Sequence, residues 1–168
     1  FTLQQALDLA LRHHNAGDLS KAENIYNQIL QANPNQPDAL HLLGMIAHQA
    51  GNNEQAIGLL NKALVMKPDY AEAHYNLGNA LSELGKLDKA VDSYQKAIQI
   101  RSDYADAHIN LAGALKASGK YEEALNIYNK AIELKPNSFQ SVLGLSITLQ
   151  ALNRFEEAID VLTIDVRK

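Results

Sequence analysis

Residues 71–104 read AEAHYNLGNALSELGKLDKAVDSYQKAIQIRSDY, and residues 105–138 read ADAHINLAGALKASGKYEEALNIYNKAIELKPNS. The two stretches agree at fourteen of 34 positions. A fixed period of this length implies a stacked array rather than a closed globule. Counting back from Ala71 gives 37–70 and 3–36, and counting forward from Ser138 leaves 139–168, four residues short of the period. The expectation is a single domain over 3–168 built of five units (3–36, 37–70, 71–104, 105–138 and 139–168), with residues 1–2 as an N-terminal extension.

Each unit reads as a helix A, a short turn and a helix B. The apolar spacing predicts helices over 3–16, 19–32, 37–50, 53–66, 71–84, 87–100, 105–118, 121–134, 139–152 and 155–166. Just past each helix A stand Gly17, Gly51, Gly85, Gly119 and Asn153. Helices commonly end on a left-handed residue, which Gly adopts freely and Asn tolerates. Pro34, Pro68 and Pro136 stop three of the B helices, because proline lacks an N–H and clashes with the preceding turn. The third unit has Ser102 there, a weaker stop, and Pro37 suits the first turn of its own helix.

Packing positions recur at the same period. Helix A carries Leu9, Leu43, Leu77, Leu111 and Leu145, each followed by a small residue (Ala10, Gly44, Gly78, Ala112, Ser146). Helix B carries Ala22, Ala56, Ala90, Ala124 and Ala158, and four residues later Tyr26, Leu60, Tyr94, Tyr128 and Leu162. Small residues let two helices approach, and large ones fill the gaps between them. This pattern over residues 3–168 resembles the tetratricopeptide repeat. The resemblance implies an all-α fold, a right-handed superhelical solenoid of antiparallel helix pairs. The large residue early in the family's helix A, often Trp, is here Ala6, Leu40, His74, His108 and Val142, which softens individual packing sites.

Composition narrows the function. The net charge is −4 with both signs interspersed, so no basic face is expected for nucleic acid. There is no cysteine, which excludes disulfides and thiolate metal sites. No apolar run approaches the ~18–20 residues of a membrane span. A cytoplasmic setting is the expectation, and the ends look like those of a fragment. No catalytic motif or phosphate-cradling glycine loop is present, so neither an enzyme nor a cofactor is expected. His41 and His48 are seven residues apart on one helix, roughly 10 Å, too far to share one metal ion. The acidic residues near the starts of the B helices and the basic ones towards their ends complement the helix dipole.

What remains is the concave surface that helix A lines in tetratricopeptide arrays. On the resemblance, its centre is lined by Asp38, His41, Met45 and His48, then Glu72, Tyr75, Asn76 and Asn79, then Asp106, Ile109, Asn110 and Lys116. The expected function is a non-catalytic interaction module holding an extended peptide there. Five A helices ~9–10 Å apart would span roughly 40 Å, room for about a dozen extended residues. Asp8, Asp38, Glu72, Glu83 and Asp106 against one Lys116 favour a neutral or basic segment. Asn76, Asn79 and Asn110 fit neither apolar packing nor turn chemistry, and an amide can clamp a peptide backbone of any sequence. The motifs Asn76-Leu77-Gly78 and Asn110-Leu111-Ala112 look like the asparagine ladder of O-linked N-acetylglucosamine transferases, with only two rungs. That implies a substrate-selecting arm of a larger glycosyltransferase- or sulfotransferase-like enzyme as an alternative. The simpler reading is that the asparagines follow family consensus. The carboxylate clamp of chaperone adaptors is not expected, because Tyr75, Gln140 and Gly144 replace its cations. Gly113 and Gly144 fall on the same face, where loose packing is the simpler reading and close approach of a ligand backbone the other. Phe155, Ile159, Val161, Leu162, Ile164 and Val166 have no further helix to cover them, which points to self-association through the C-terminal helix.

Overall fold

The computed structural model describes residues 2–165, and among them it contains ten α-helices and no strand. They are α1 (Leu3–Asn15), α2 (Leu19–Ala32), α3 (Pro37–Gln49), α4 (Asn53–Met66), α5 (Ala71–Glu83), α6 (Leu87–Ile100), α7 (Ala105–Ala117), α8 (Tyr121–Leu134), α9 (Phe139–Ala151) and α10 (Phe155–Asp165). The B helices α2, α4, α6 and α8 have the expected bounds, whereas each A helix stops one residue short of expectation.

The turn chemistry explains that residue. Gly17, Gly51, Gly85, Gly119 and Asn153 all take positive φ, between 60° and 79°. At the end of α1 the Asp18 N–H bonds to His13 O (2.9 Å) and the Gly17 N–H to His14 O (3.0 Å). The same double closure follows α3, α7 and α9. The left-handed residue therefore stands one place beyond the cap, and Ala16 rather than Asn15 is the half-helical cap residue. The B helices end on Asn33, Lys67, Arg101 and Lys135, with ψ of 89°, 82°, 94° and 80°. A following proline forces three of them out of the helical region. Arg101 reaches the same geometry before Ser102. Its guanidinium lies 3.5 Å over the Tyr104 ring, and the Tyr104 N–H bonds to Arg101 O at 3.2 Å, closing the same turn that Gln36 N–H and Ser138 N–H close around Pro34 and Pro136.

The chain forms two compact units, residues 1–84 and 85–168, divided in the turn of the 71–104 repeat. In the first, α2 packs on α1 and α3, and α4 packs on α3 and α5. Ala22 and Ala56 are fully buried at the close helix crossings, with Tyr26 and Leu60 filling the gaps. Gly44 is small for a reason: a Cβ there would stand 2.9 Å from Leu60 Cγ. In the second unit, α8 packs on α7 and α9, and α9 packs on α7 and α10. Ala90, Ala124, Ala158, Tyr94 and Tyr128 are buried. Phe155, Ile159 and Leu162 of α10 remain exposed, at 56%, 61% and 37%. The Ile164 side chain and Val166 lie outside the described residues.

His74 and His108 are more than softened packing positions. Both are buried, and each Nε2 donates to a main-chain carbonyl six residues earlier, Pro68 O at 2.8 Å and Ser102 O at 3.0 Å. Each imidazole thus ties the preceding loop to the first turn of its A helix.

Candidate functional site

In the first unit, Asp38, His41, Met45 and His48 fall on one face of α3, and Glu72, Tyr75, Asn76, Asn79 and Glu83 on one side of α5, through the helical spacing of three and four. Two hydrogen-bonded clusters join these helices. The first centres on His41, which is 5% exposed. Asn76 Nδ2 donates to His41 Nε2 at 2.8 Å. That leaves the ring proton on Nδ1, which reaches Tyr70 Oη at 2.9 Å. The Asp38 carboxylate lies near the Tyr70 phenol and opposes its ionisation. The two rings are tilted against each other with centroids 4.6 Å apart, and Lys67 Nζ sits 4.2 Å from the Tyr70 ring centroid. Burial pushes the His41 pKa down to about 4, against the pull of the Glu72 and Asp38 carboxylates and aided by Lys67 and His14. The imidazole is neutral at pH 7. Burial, with Asp38 beside it, raises the Tyr70 pKa, so the phenol stays a donor.

The second cluster is built on Asn53, the buried first residue of α4. His48 Nδ1 donates to Asn53 Oδ1 at 2.7 Å, and Asn53 Nδ2 donates to Glu83 Oε2 at 3.1 Å. His48 Nε2 is 3.8 Å from Glu83 Oε1. One amide therefore holds side chains from α3 and α5 in fixed orientation. These groups offer oriented donors and acceptors. Among the described residues no group of three or more His, Cys, Asp or Glu could hold a metal ion.

Asp38, Met45, His48, Glu72, Tyr75, Asn76 and Asn79 are half-buried, as are Asn110 and Lys116 in the second unit. His41 and Ile109 depart from expectation: both are buried beneath the face rather than lining it. Asn76 also departs from it, because its amide is engaged in holding His41. Asp106 is exposed and pairs with Lys135 at 3.3 Å. The basic residues at the B-helix ends therefore do more than complement a dipole. Gly144 corrects the reading of loose packing: a methyl there would overlap the Tyr128 ring. The contributions of Tyr70, Lys67 and Asn53 were not read from the sequence. The recurrence of Lys67-x-x-Tyr70 as Arg101-x-x-Tyr104 is the signal that could have found two of them.

Family profiles described as tetratricopeptide repeat match residues 3–46, 69–137 and 115–164, and one described as TPR repeat matches 44–85. The chain is a tetratricopeptide repeat protein. It is similar to the crystal structure of MamA, with a TM-score of 0.88 and 27% identity over 94% of this chain and 92% of that one. MamA 41-end from Desulfovibrio magneticus RS-1 superposes with a TM-score of 0.89 at 18% identity, covering 98% of this chain and 93% of that one. YrrB, described as a TPR protein with an unusual peptide-binding site, has a TM-score of 0.84 at 19% identity, covering 96% and 84%. The last two likenesses show the fold alone. No curated protein sequence matches the chain. No helix among the described residues is long and apolar enough to cross a membrane.

Proposed function

We propose that this tetratricopeptide protein is an interaction module that holds an extended peptide segment of a partner against the A-helix face. The observation that carries the reading is the bracing of polar side chains on one face of the first unit, half-buried at His48 and Asn76 and exposed at Glu83. His48 and Glu83 are held through Asn53, and Asn76 is held on His41. Donors and acceptors fixed before binding lose less conformational entropy when a ligand arrives. The acidic residues Asp8, Glu72 and Glu83 on this face favour a neutral or basic segment. The peptide-binding description of YrrB is consistent with this use of the fold.

The test is a selection of random 12-residue displayed peptides against the chain. The selected peptides are expected to lose about tenfold in affinity to Met45→Arg, which places a bulky charge amid the face, with helical circular dichroism unchanged. Glu83→Lys is expected to weaken the basic peptides more than the neutral ones. An empty selection, or peptides indifferent to Met45→Arg, overturns the proposal.

The exposed apolar side chains of α10 favour a second reading, association of two copies through that helix. Sedimentation at high concentration should then show a dimer that Ile159→Asp removes. A monomer across the whole concentration range rejects it.

A further inference from the structure

The same tyrosine position has two different covers in this chain. In the first unit Tyr26 belongs to a buried cluster that Leu42 packs against, and Leu11 stands at the other flanking position of the repeat. The Tyr26 hydroxyl is enclosed there without a hydrogen-bond partner. In the second unit the positions of Leu11 and Leu42 are taken by Gly113 and Gly144. The Tyr128 ring leans into the space a Gly144 side chain would fill, and its hydroxyl is 3.8 Å from where a Gly113 Cβ would stand. Gly113 has no other neighbour near that point. Tyr128 is 3% exposed, and its hydroxyl makes no hydrogen bond among the described residues. Burial raises its pKa, so it stays protonated. Either side of Gly144, Leu143 and Ile147 are exposed at 38% and 42%.

We propose that the gap over Gly113, beside the Tyr128 hydroxyl, is a peptide subsite in which Tyr128 Oη donates to a main-chain carbonyl of an extended partner segment. The missing Gly113 side chain lets a backbone come within reach of a hydroxyl that a side chain there would cover. A ligand carbonyl at this hydroxyl takes the place of water and fixes one residue of the segment over Gly113. The flanking leucine and isoleucine suit apolar neighbours in the ligand, and the narrowness of the gap selects Gly, Ala or Ser at the residue seated in it. The subsite rests on the peptide-binding reading above and adds to it a fixed register.

The probe is the same set of display-selected 12-residue peptides. Tyr128→Phe keeps the ring, so the urea midpoint should stay level or rise, while affinity falls about fivefold. Gly113→Ala, which narrows the opening without a clash, should weaken the same peptides and raise helix stability. Tyr26→Phe should leave affinity unchanged. The selected peptides should align on one small residue. If Met45→Arg weakens them but Tyr128→Phe and Gly113→Ala do not, the subsite is refuted and peptide binding stands. If no peptide is selected, both fail.

Discussion

Truncating Leu60 to alanine is expected to lower the unfolding free energy by about 3–4 kcal/mol, in the upper part of the range for a buried leucine. The size follows from what surrounds the side chain. Leu60 is fully enclosed, and it lies against a residue with no side chain. The site for a Gly44 Cβ is 2.9 Å from Leu60 Cγ and 3.2 Å from Cδ2, with Ala56 O at 3.5 Å. Gly44 offers no side chain to relax into the cavity, so much of it stays open. The same geometry predicts a change of sign. Alone, Gly44→Ala forces Cβ against a branching carbon that has nowhere to move. Overpacking of about 1–3 kcal/mol then outweighs the roughly 1 kcal/mol gained in helix propensity. With Leu60 already cut back, the clash is gone and the same methyl fills part of the void, so Gly44→Ala becomes stabilising by about 1 kcal/mol. Urea unfolding of the two single variants and the double variant gives the coupling, expected at about 2 kcal/mol. Equal effects of Gly44→Ala in both backgrounds would show that the two residues do not share a cavity.

That pair also marks how far the sequence could be read. The recurrence of a small residue on helix A and a large one on helix B announced the packing, because close helix approach requires it at every repeat. The helices were legible from the same periodicity, and their ends from Gly17, Gly51, Gly85, Gly119 and Asn153, because few residues accept positive φ. The single-residue error at the A-helix ends came from counting the cap residue as helix. The stop before Ser102 needed the structure, since the chain turns there without proline, through the same backbone bond that closes the turns at Pro34 and Pro136.

The candidate site was legible only in outline. Helical spacing placed polar residues on one face, but not how deep each lies. His41 and Ile109 belong to that stripe by sequence and are nevertheless buried. The partners of His41 are 29 and 35 residues away, and those of Asn53 lie five residues back and 30 ahead. Which rotamers meet across α3, α4 and α5 depends on how the helices are packed. An asparagine that looked free of structural duty therefore has one. The consequence is practical: Asn76→Ala removes the partner of a buried ring nitrogen, costing about 1–3 kcal/mol, and cannot serve as a silent probe of binding.

The second large effect is a dependence of stability on pH carried by His41. Its pKa is about 4 in the folded chain, chiefly through burial, against 6.5 for an unperturbed imidazole. As pH falls below 6.5 the unfolded chain takes up the proton first. Stability therefore declines between pH 6.5 and about 4, and levels off below that, where both states hold the proton. The shift corresponds to roughly 3 kcal/mol at about 1.4 kcal/mol per pH unit. Leucine stands at the equivalent position in α1 and α9, as Leu7 and Leu143, so His41→Leu suits the fold. Carboxylates titrate in the same region, but they do so in the variant as well. The wild-type curve minus the His41→Leu curve therefore isolates the imidazole. It should fall by about 3 kcal/mol from pH 7 to pH 4 in urea unfolding. Parallel curves would place His41 in a far wetter setting than its 5% exposure indicates. Protonation also has a local cost, because it makes both ring nitrogens donors. Asn76 Nδ2, 2.8 Å from Nε2, would then face another donor, and the amide would have to turn over to present Oδ1. The face of α5 would lose the orientation that prepares it for a ligand, so peptide affinity should weaken over the same pH range as stability.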